Sequence, residues 1–131
     1  MRVLLDTHVL LWLLMEPDRL PPALRDALCD PGHHVMFSAV NIWEVAIKKS
    51  LGKPGFDFSP NDVLDAARAT RLVELPVTAE HAARVLALEP LHSDPFDRLL
   101  IAQALCEPAR LLTSDRMISR YSAPIDLMVP Q

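Results

Sequence analysis

The chain reads as an α/β protein, with three α/β/α layers around a mainly parallel central sheet. Three observations predict this. Short apolar runs alternate with helical stretches along the whole chain, the pattern of βα units. The first run, Val3-Leu4-Leu5, is apolar without alternation, as a strand buried by helices on both faces must be. Helix starts are marked by Ser, Thr or Asp, twice followed directly by proline. The chain has 131 residues, which predicts a single domain over 1–131 burying roughly 68% of its unfolded surface. No repeat, low-complexity tract or long linker divides it.

In order, residues 2–5 predict a strand and 7–15 a helix stopped by Pro17. Residues 21–30 predict a second helix, since prolines are tolerated in a first turn. "HVMFS" predicts a strand, and the pair His33-His34 a loop before it. Ser38 is placed to N-cap a helix reaching about residue 51 and ending at Gly52. "KPGFDF" is a loop. Ser59-Pro60 starts a helix to about residue 70, and "LVEL" is a short strand. Thr78 caps a helix to about residue 88. "SDPFDRLLIAQALCE" is a helix with Asp94 as N-cap and Pro95 at its first position. "ARLLTS" holds a strand, a helical turn follows Asp115, and "IDLMV" closes the sheet.

Half the residues are hydrophobic, 23% are charged, and the net charge is −4. That balance suits a globular domain and offers no polybasic tail for nucleic acid or membrane. Cys29 and Cys106 lack metal-ligand spacing, and both read as buried reduced thiols in helices. Asp6 and His8 interrupt the apolar N-terminus, no small-residue cleavage site follows, and no apolar run reaches the ~18 residues of a membrane span. The expected location is cytoplasmic.

Four acids stand where acids are costly. Asp6 and Asp115 follow predicted strands, at the sheet edge where α/β proteins bind ligands. With about 100° per residue, Glu44 falls on one helical stripe with Val40, Ile47 and Leu51. Trp43 lies beside that stripe, and Lys48 and Lys49 lie off it. Asp97 shares a stripe with Leu100, Ile101 and Ala104. A buried carboxylate must be hydrogen-bonded, paired or metal-bound. Gathered together, the four would repel and some pKa values would rise. Oxygen donors without cysteine or histidine pairs favour Mg²⁺ or Mn²⁺ over Zn²⁺, and such ions promote in-line attack on phosphodiesters. Plainer roles stand beside this: Asp6 and Asp115 as caps, Asp97 in a capping-box-like arrangement with Asp94, and Glu44 paired with Lys48. His8 reads as a helix-face histidine near a strand end.

The stretches "LLDTHVLLW", "SAVNIWEVAIKKSLGK", "DPFDRLLIAQAL" and "LLTSDRMI", in this order over nearly the whole chain, resemble the PIN-domain family, and within it the VapC toxins of bacterial toxin–antitoxin pairs. The resemblance implies a PIN-like α/β/α fold and a Mg²⁺- or Mn²⁺-dependent endoribonuclease. It carries Asp6, Glu44, Asp97 and Asp115 over as catalytic metal ligands. Asp94 matches an acid of the "DPFDR" variant, here a cap with a supporting role. Thr7, Ser38, Asn41 and Ser114 orient a carboxylate, water or phosphate, or simply cap and turn the chain. Arg98 pairs with an acid, touches RNA or is structural. The implied partners are RNA, a small VapB-like antitoxin and a second copy in a homodimer. Trp12, Trp43 and Met15 are either groove-lining or core.

The alternatives are a PIN-like RNA- or protein-binding module without cleavage and a housekeeping RNA-processing nuclease. A phosphate-accepting receiver needs a lysine after a late strand, but Lys48, Lys49 and Lys53 all sit mid-chain. An aspartyl phosphatase usually carries D-x-D, where this chain has Asp6-Thr7-His8.

Overall fold

A computed structural model describes residues 1–131. Strands β1 (Arg2–Leu5), β2 (His34–Ser38), β3 (Val73–Leu75), β4 (Arg110–Thr113) and β5 (Ile125–Leu127) form one sheet in the order β3-β2-β1-β4-β5. Every pairing is parallel. The helices are α1 (Thr7–Met15), α2 (Pro22–Cys29), α3 (Ala39–Ser50), α4 (Pro60–Arg68), α5 (Ala79–Arg84) and α6 (Pro95–Cys106).

Side chains alternate across the sheet, and both faces are covered. Val3, Leu5, Val35, Phe37 and Leu112 pack with Val9, Leu10, Val63 and Ala67 of α1 and α4. Leu4, Met36 and Leu111 face the opposite way, against Leu100, Ile101 and Ala104 of α6. The α/β/α expectation therefore holds, and the register fixes which face each strand residue serves. Val3 lies opposite Val35 and Arg110, and Leu5 lies opposite Leu112.

The chain moves outward from β1 through β2 to β3, then returns to the other side of β1 for β4 and β5. The order reverses between β1 and β4, and ligands bind in the crevice beyond the carboxyl ends at such a reversal. Asp6 follows β1 there, and Ser114 and Asp115 follow β4.

Local chemistry sets the helix starts nearby. Ser38 Oγ accepts from the Val40 amide at 3.0 Å, and Asn41 Oδ1 accepts from the Ser38 amide at 2.7 Å. This reciprocal cap starts α3 directly at the end of β2. Asp94 Oδ1 accepts from the Phe96 and Asp97 amides at 2.9 and 3.2 Å, which starts α6. Thr78 caps α5 through the His81 amide. Ser59 makes no such side-chain bond. There Pro60 presets the first-turn backbone, and the Ser59 carbonyl accepts from Val63.

Some expectations need correction. The helix expected to reach residue 88 ends at Arg84 and tightens into a 3₁₀ turn, Val85–Ala87. Its Val85 carbonyl is taken by the Leu88 amide and the Arg98 guanidinium. His34 opens β2, as "HVMFS" predicts, so of the pair His33-His34 only His33 lies in the loop. Cys29 is exposed and Cys106 half-buried, because each is the last residue of its helix. Trp12 belongs to the core, Met15 packs on its edge, and Trp43 is exposed.

The stripe through Val40, Glu44, Ile47 and Leu51 is not the buried face of α3. Ile47 is exposed, and Leu51 is 66% exposed. The helix is gripped from two sides instead. Val45 joins the α1 and α4 cluster, whereas Val40 joins the α6 cluster. The buried set is Val40, Asn41, Glu44 and Val45. Truncation separates the two kinds of position. Leu100→Ala should cost ~2–5 kcal/mol in denaturant unfolding, and Leu51→Ala less than ~0.5 kcal/mol.

Candidate active site

A cavity of about 210 Å³ opens at the carboxyl edge of the sheet. It is lined by Asp6, His8, Glu44, Lys48, His92, Asp94, Asp97, Ser114 and Asp115. All four acids expected at the site, and Asp94 with them, face one space.

Each acid is held differently. Asp6 Oδ1 accepts from the Thr7 amide at 2.8 Å, and Asp6 Oδ2 accepts from Thr113 Oγ1 at 2.6 Å. Asp6 thus caps α1 and also faces the cleft. Glu44 is only 2% exposed. Its Oε1 accepts from Thr7 Oγ1 at 2.5 Å, and its Oε2 meets Lys48 Nζ at 2.6 Å. Asn41 Nδ2 donates to Thr7 Oγ1 at 2.9 Å and to the Leu5 carbonyl at 3.1 Å. Ser38 Oγ donates to Gln103 Oε1 at 2.6 Å. Thr7, Ser38 and Asn41 therefore form one buried network that aims Glu44.

Asp94 and Asp97 divide their duties. Asp94 caps α6 through Oδ1 and receives Lys48 Nζ on Oδ2 at 2.8 Å. The Asp97 side chain closes no capping box. It is 8% exposed and turns into the cleft, where Oδ2 meets His92 Nε2 at 2.8 Å. Asp115 Oδ1 accepts from the Met117 amide at 2.8 Å, and Oδ2 lies 3.6 Å from His92 Nε2. Asp115 thus caps its turn and edges the cleft.

Electrostatics rank the acids. Burial, then the charges of Asp6, Asp94 and Glu44, push Asp97 up to about 9. Burial raises Asp6 to about 6, with Glu44 and Asp115 adding to the rise and Thr113 opposing it. Burial also works against ionised Asp94, yet Lys48 and the α6 amides hold its carboxyl below the usual range. Lys48 has the mirror image: burial opposes its charge, and its bonds to Asp94 and Glu44 outweigh that and raise it. His8 packs on Trp12 and Phe56, and burial lowers its pKa.

These features fit a divalent cation. Oxygens of Asp6, Glu44 and Asp97 lie within 4.8 Å of one another, and hard oxygen donors suit Mg²⁺ or Mn²⁺. The raised Asp97 records burial and crowding by Asp6, Asp94 and Glu44 that its contact with His92 does not remove.

Arg98 touches neither an acid nor the cleft. Its guanidinium donates to the carbonyls of Glu89 and Val85 at 2.9 and 3.1 Å and to Tyr121 Oη at 3.2 Å. It holds the irregular segment that brings His92 to the site. His92 escaped the sequence reading, and Lys48 entered it only as a partner for Glu44, a pair the structure contains. Lys48 had one signal, a position one helical turn beyond Glu44. His92 had none, because it lies between helices.

A family model described as PIN domain matches residues 3–124. The chain belongs to the PIN domain family. Ribonuclease VapC22 of Mycobacterium tuberculosis is 29% identical to this PIN domain over 123 residues, 93% of each chain. The structure of VapBC2 from Rickettsia felis, bound to a DNA fragment from their promoter, matches with a TM-score of 0.74 at 17% identity. It covers 98% of this chain and 99% of that one. DNA-bound VapBC from Salmonella typhimurium matches with a TM-score of 0.68 at 18% identity, over 96% and 97%. At such identities the structural matches establish the fold of this PIN domain.

The raised Asp97 carries a pH signature in metal-free buffer. Its folded pKa of about 9 exceeds the unfolded value of about 3.9. Its contribution to stability is therefore complete below about pH 4 and is lost as pH rises through about 9. Asp97→Asn should melt higher than the parent chain, by a margin that widens between pH 5 and 9. Thermal unfolding in EDTA across that range checks it, and a margin independent of pH contradicts the assignment.

Proposed function

We propose that this PIN domain is a VapC-like toxin, a metal-dependent endoribonuclease that hydrolyses RNA phosphodiesters and is neutralised by a VapB-like antitoxin. One observation carries the reading: three buried carboxylates from β1's end, α3 and α6 converge within 4.8 Å at the sheet's switch point. The relationship to Ribonuclease VapC22 and the likeness to VapBC assemblies support it.

Asp6, Glu44, Asp97 and Asp115 would hold Mg²⁺ or Mn²⁺. When bound, such an ion lowers the pKa of water and offsets charge developing on an attacked phosphate. The chain's own groups prepare the site. Thr7 and Thr113 each donate to Asp6 or Glu44 and leave further carboxylate lone pairs available. Asn41 locks Thr7, so the two acids keep their spacing. Lys48 neutralises the Glu44 and Asp94 flank.

The same reading brings a cytoplasmic setting, an RNA substrate and a homodimer. No helix is long and apolar enough to cross a membrane. Trp43, Ile47 and Leu51 form an exposed apolar row along α3 and its end, which supports a protein partner.

Purified chain free of antitoxin, incubated with total cellular RNA, tests this. Discrete cuts are expected with Mn²⁺, none with EDTA, and at least ~100-fold fewer with Asp97→Asn, the scale of losing a major electrostatic contributor. Undiminished cutting by Asp97→Asn overturns the site. Absence of cuts in every arm favours an RNA-binding PIN domain without cleavage.

A further inference from the structure

His92 lies in irregular chain just before α6, yet its backbone is tied down on both sides. Its amide donates to Oη of the buried Tyr121 at 2.8 Å, and its carbonyl accepts from the Arg98 guanidinium at 3.4 Å. So held, the ring points into the cleft. Nε2 stands 2.8 Å from Asp97 Oδ2 and 3.6 Å from Asp115 Oδ2. Donor atoms of all three residues lie within 4.8 Å of one another, and Asp97 also belongs to the group with Asp6 and Glu44.

We propose that His92 Nε2 is a metal ligand of this cleft, beside Asp97 and Asp115, and that the cleft therefore favours Mn²⁺ over Mg²⁺. The inference rests on reading the cleft as a nuclease metal centre. Adjacent donors of a six-coordinate ion with bonds of ~2.1 Å stand about 3 Å apart, and the separations of 2.8 and 3.6 Å bracket that spacing. One N–H serves one acceptor well, whereas an ion at that nitrogen draws in both carboxylates. Nδ1 meets the Asp94 amide at 3.5 Å, longer than a normal hydrogen bond. That contact is weak enough for Nδ1 to carry the proton, as ligation through Nε2 requires. The side chains of His92 and Asp115 are 22% and 41% exposed, whereas Asp6 and Glu44 are buried. An ion can enter on this side and keep some of its waters.

The nitrogen sets the choice of ion. Carboxylates suit Mg²⁺ and Mn²⁺ alike, but imidazole suits transition metals. Mg²⁺ dehydrates reluctantly, so exchanging a water for imidazole gains it little.

Pulsed electron paramagnetic resonance of the Mn²⁺-loaded, RNA-free chain tests the proposal, because a directly bound histidine adds modulation from nitrogen to the manganese echo. The parent chain should show it. His8→Asn, which removes the other histidine lining the cleft, should keep it, and His92→Gln should lose it. By calorimetric titration, His92→Gln should bind Mn²⁺ at least ~10-fold more weakly, the lower end of what losing even a support for a ligand costs. Mg²⁺ affinity should change far less. Manganese without nitrogen in the parent chain overturns the proposal and leaves His92 a hydrogen-bond donor to Asp97. Nitrogen that persists in a folded His92→Gln also overturns it. The parent spectrum decides even if that variant does not fold. A parent chain that cuts RNA with manganese lacking nitrogen defeats this inference alone. One that binds manganese through nitrogen and cuts no RNA defeats the nuclease reading alone.

Discussion

Repulsion among carboxylates governs the carboxyl edge of this sheet. Two unit charges ~5 Å apart repel by roughly 3–4 kcal/mol at an effective dielectric of ~20. Asp6, Glu44 and Asp97 share a space of that size, and Asp94 and Asp115 stand at its rim. A domain is stable by only ~5–15 kcal/mol, so this gathering must be offset locally. The offsets found here are hydroxyl and amide donors to Asp6 and Glu44, one ammonium between Glu44 and Asp94, and the His92 ring against Asp97. What they leave uncovered falls on Asp97, and a divalent cation would cover it.

The fold supplies these offsets through its order of strands. Because β1 lies between β2 and β4, the residues after all three strands meet. Thr113 ends β4 and reaches Asp6 after β1. Ser38 ends β2 and starts α3, whose Asn41 reaches the Leu5 carbonyl and Thr7. These bonds tie Asp6 and the helix that carries Glu44 to backbone already fixed by the parallel ladder. The acids are thus positioned by the same contacts that close the sheet.

Helix α3 shows where a periodic reading succeeds and where it fails. It placed Glu44 inside, which is correct, but for a stripe that includes the exposed Ile47 and Leu51. One stripe assumes one buried face. This helix sits between the α1 and α4 layer on one side and α6 on the other, so its buried arc spans both, with Glu44 between them. In α6 Asp97, Leu100, Ile101 and Ala104 are buried together as the spacing indicates, and Phe96, Ala102 and Gln103 are buried with them, because α3 and α5 pack on the helix as well as the sheet.

The sequence by itself determined the alternation of strands and helices, most helix starts and the four acids, because these follow from local periodicity, capping chemistry and the cost of placing charge among apolar neighbours. Its motifs also carried the family, since short spacings survive as a pattern in one dimension. Only the tertiary structure decided how the acids share their burdens. It turned Asp97 inward and spent Asp94 on a cap and on Lys48. It used Arg98 to secure a loop, left Cys29 and Cys106 at the surface ends of their helices, and brought Lys48 and His92 to the cleft. Lys48 meets Asp94 across 46 positions of sequence, and His92 meets Asp115 across a strand and a helix. No local pattern records such distances, because only chain closure sets them.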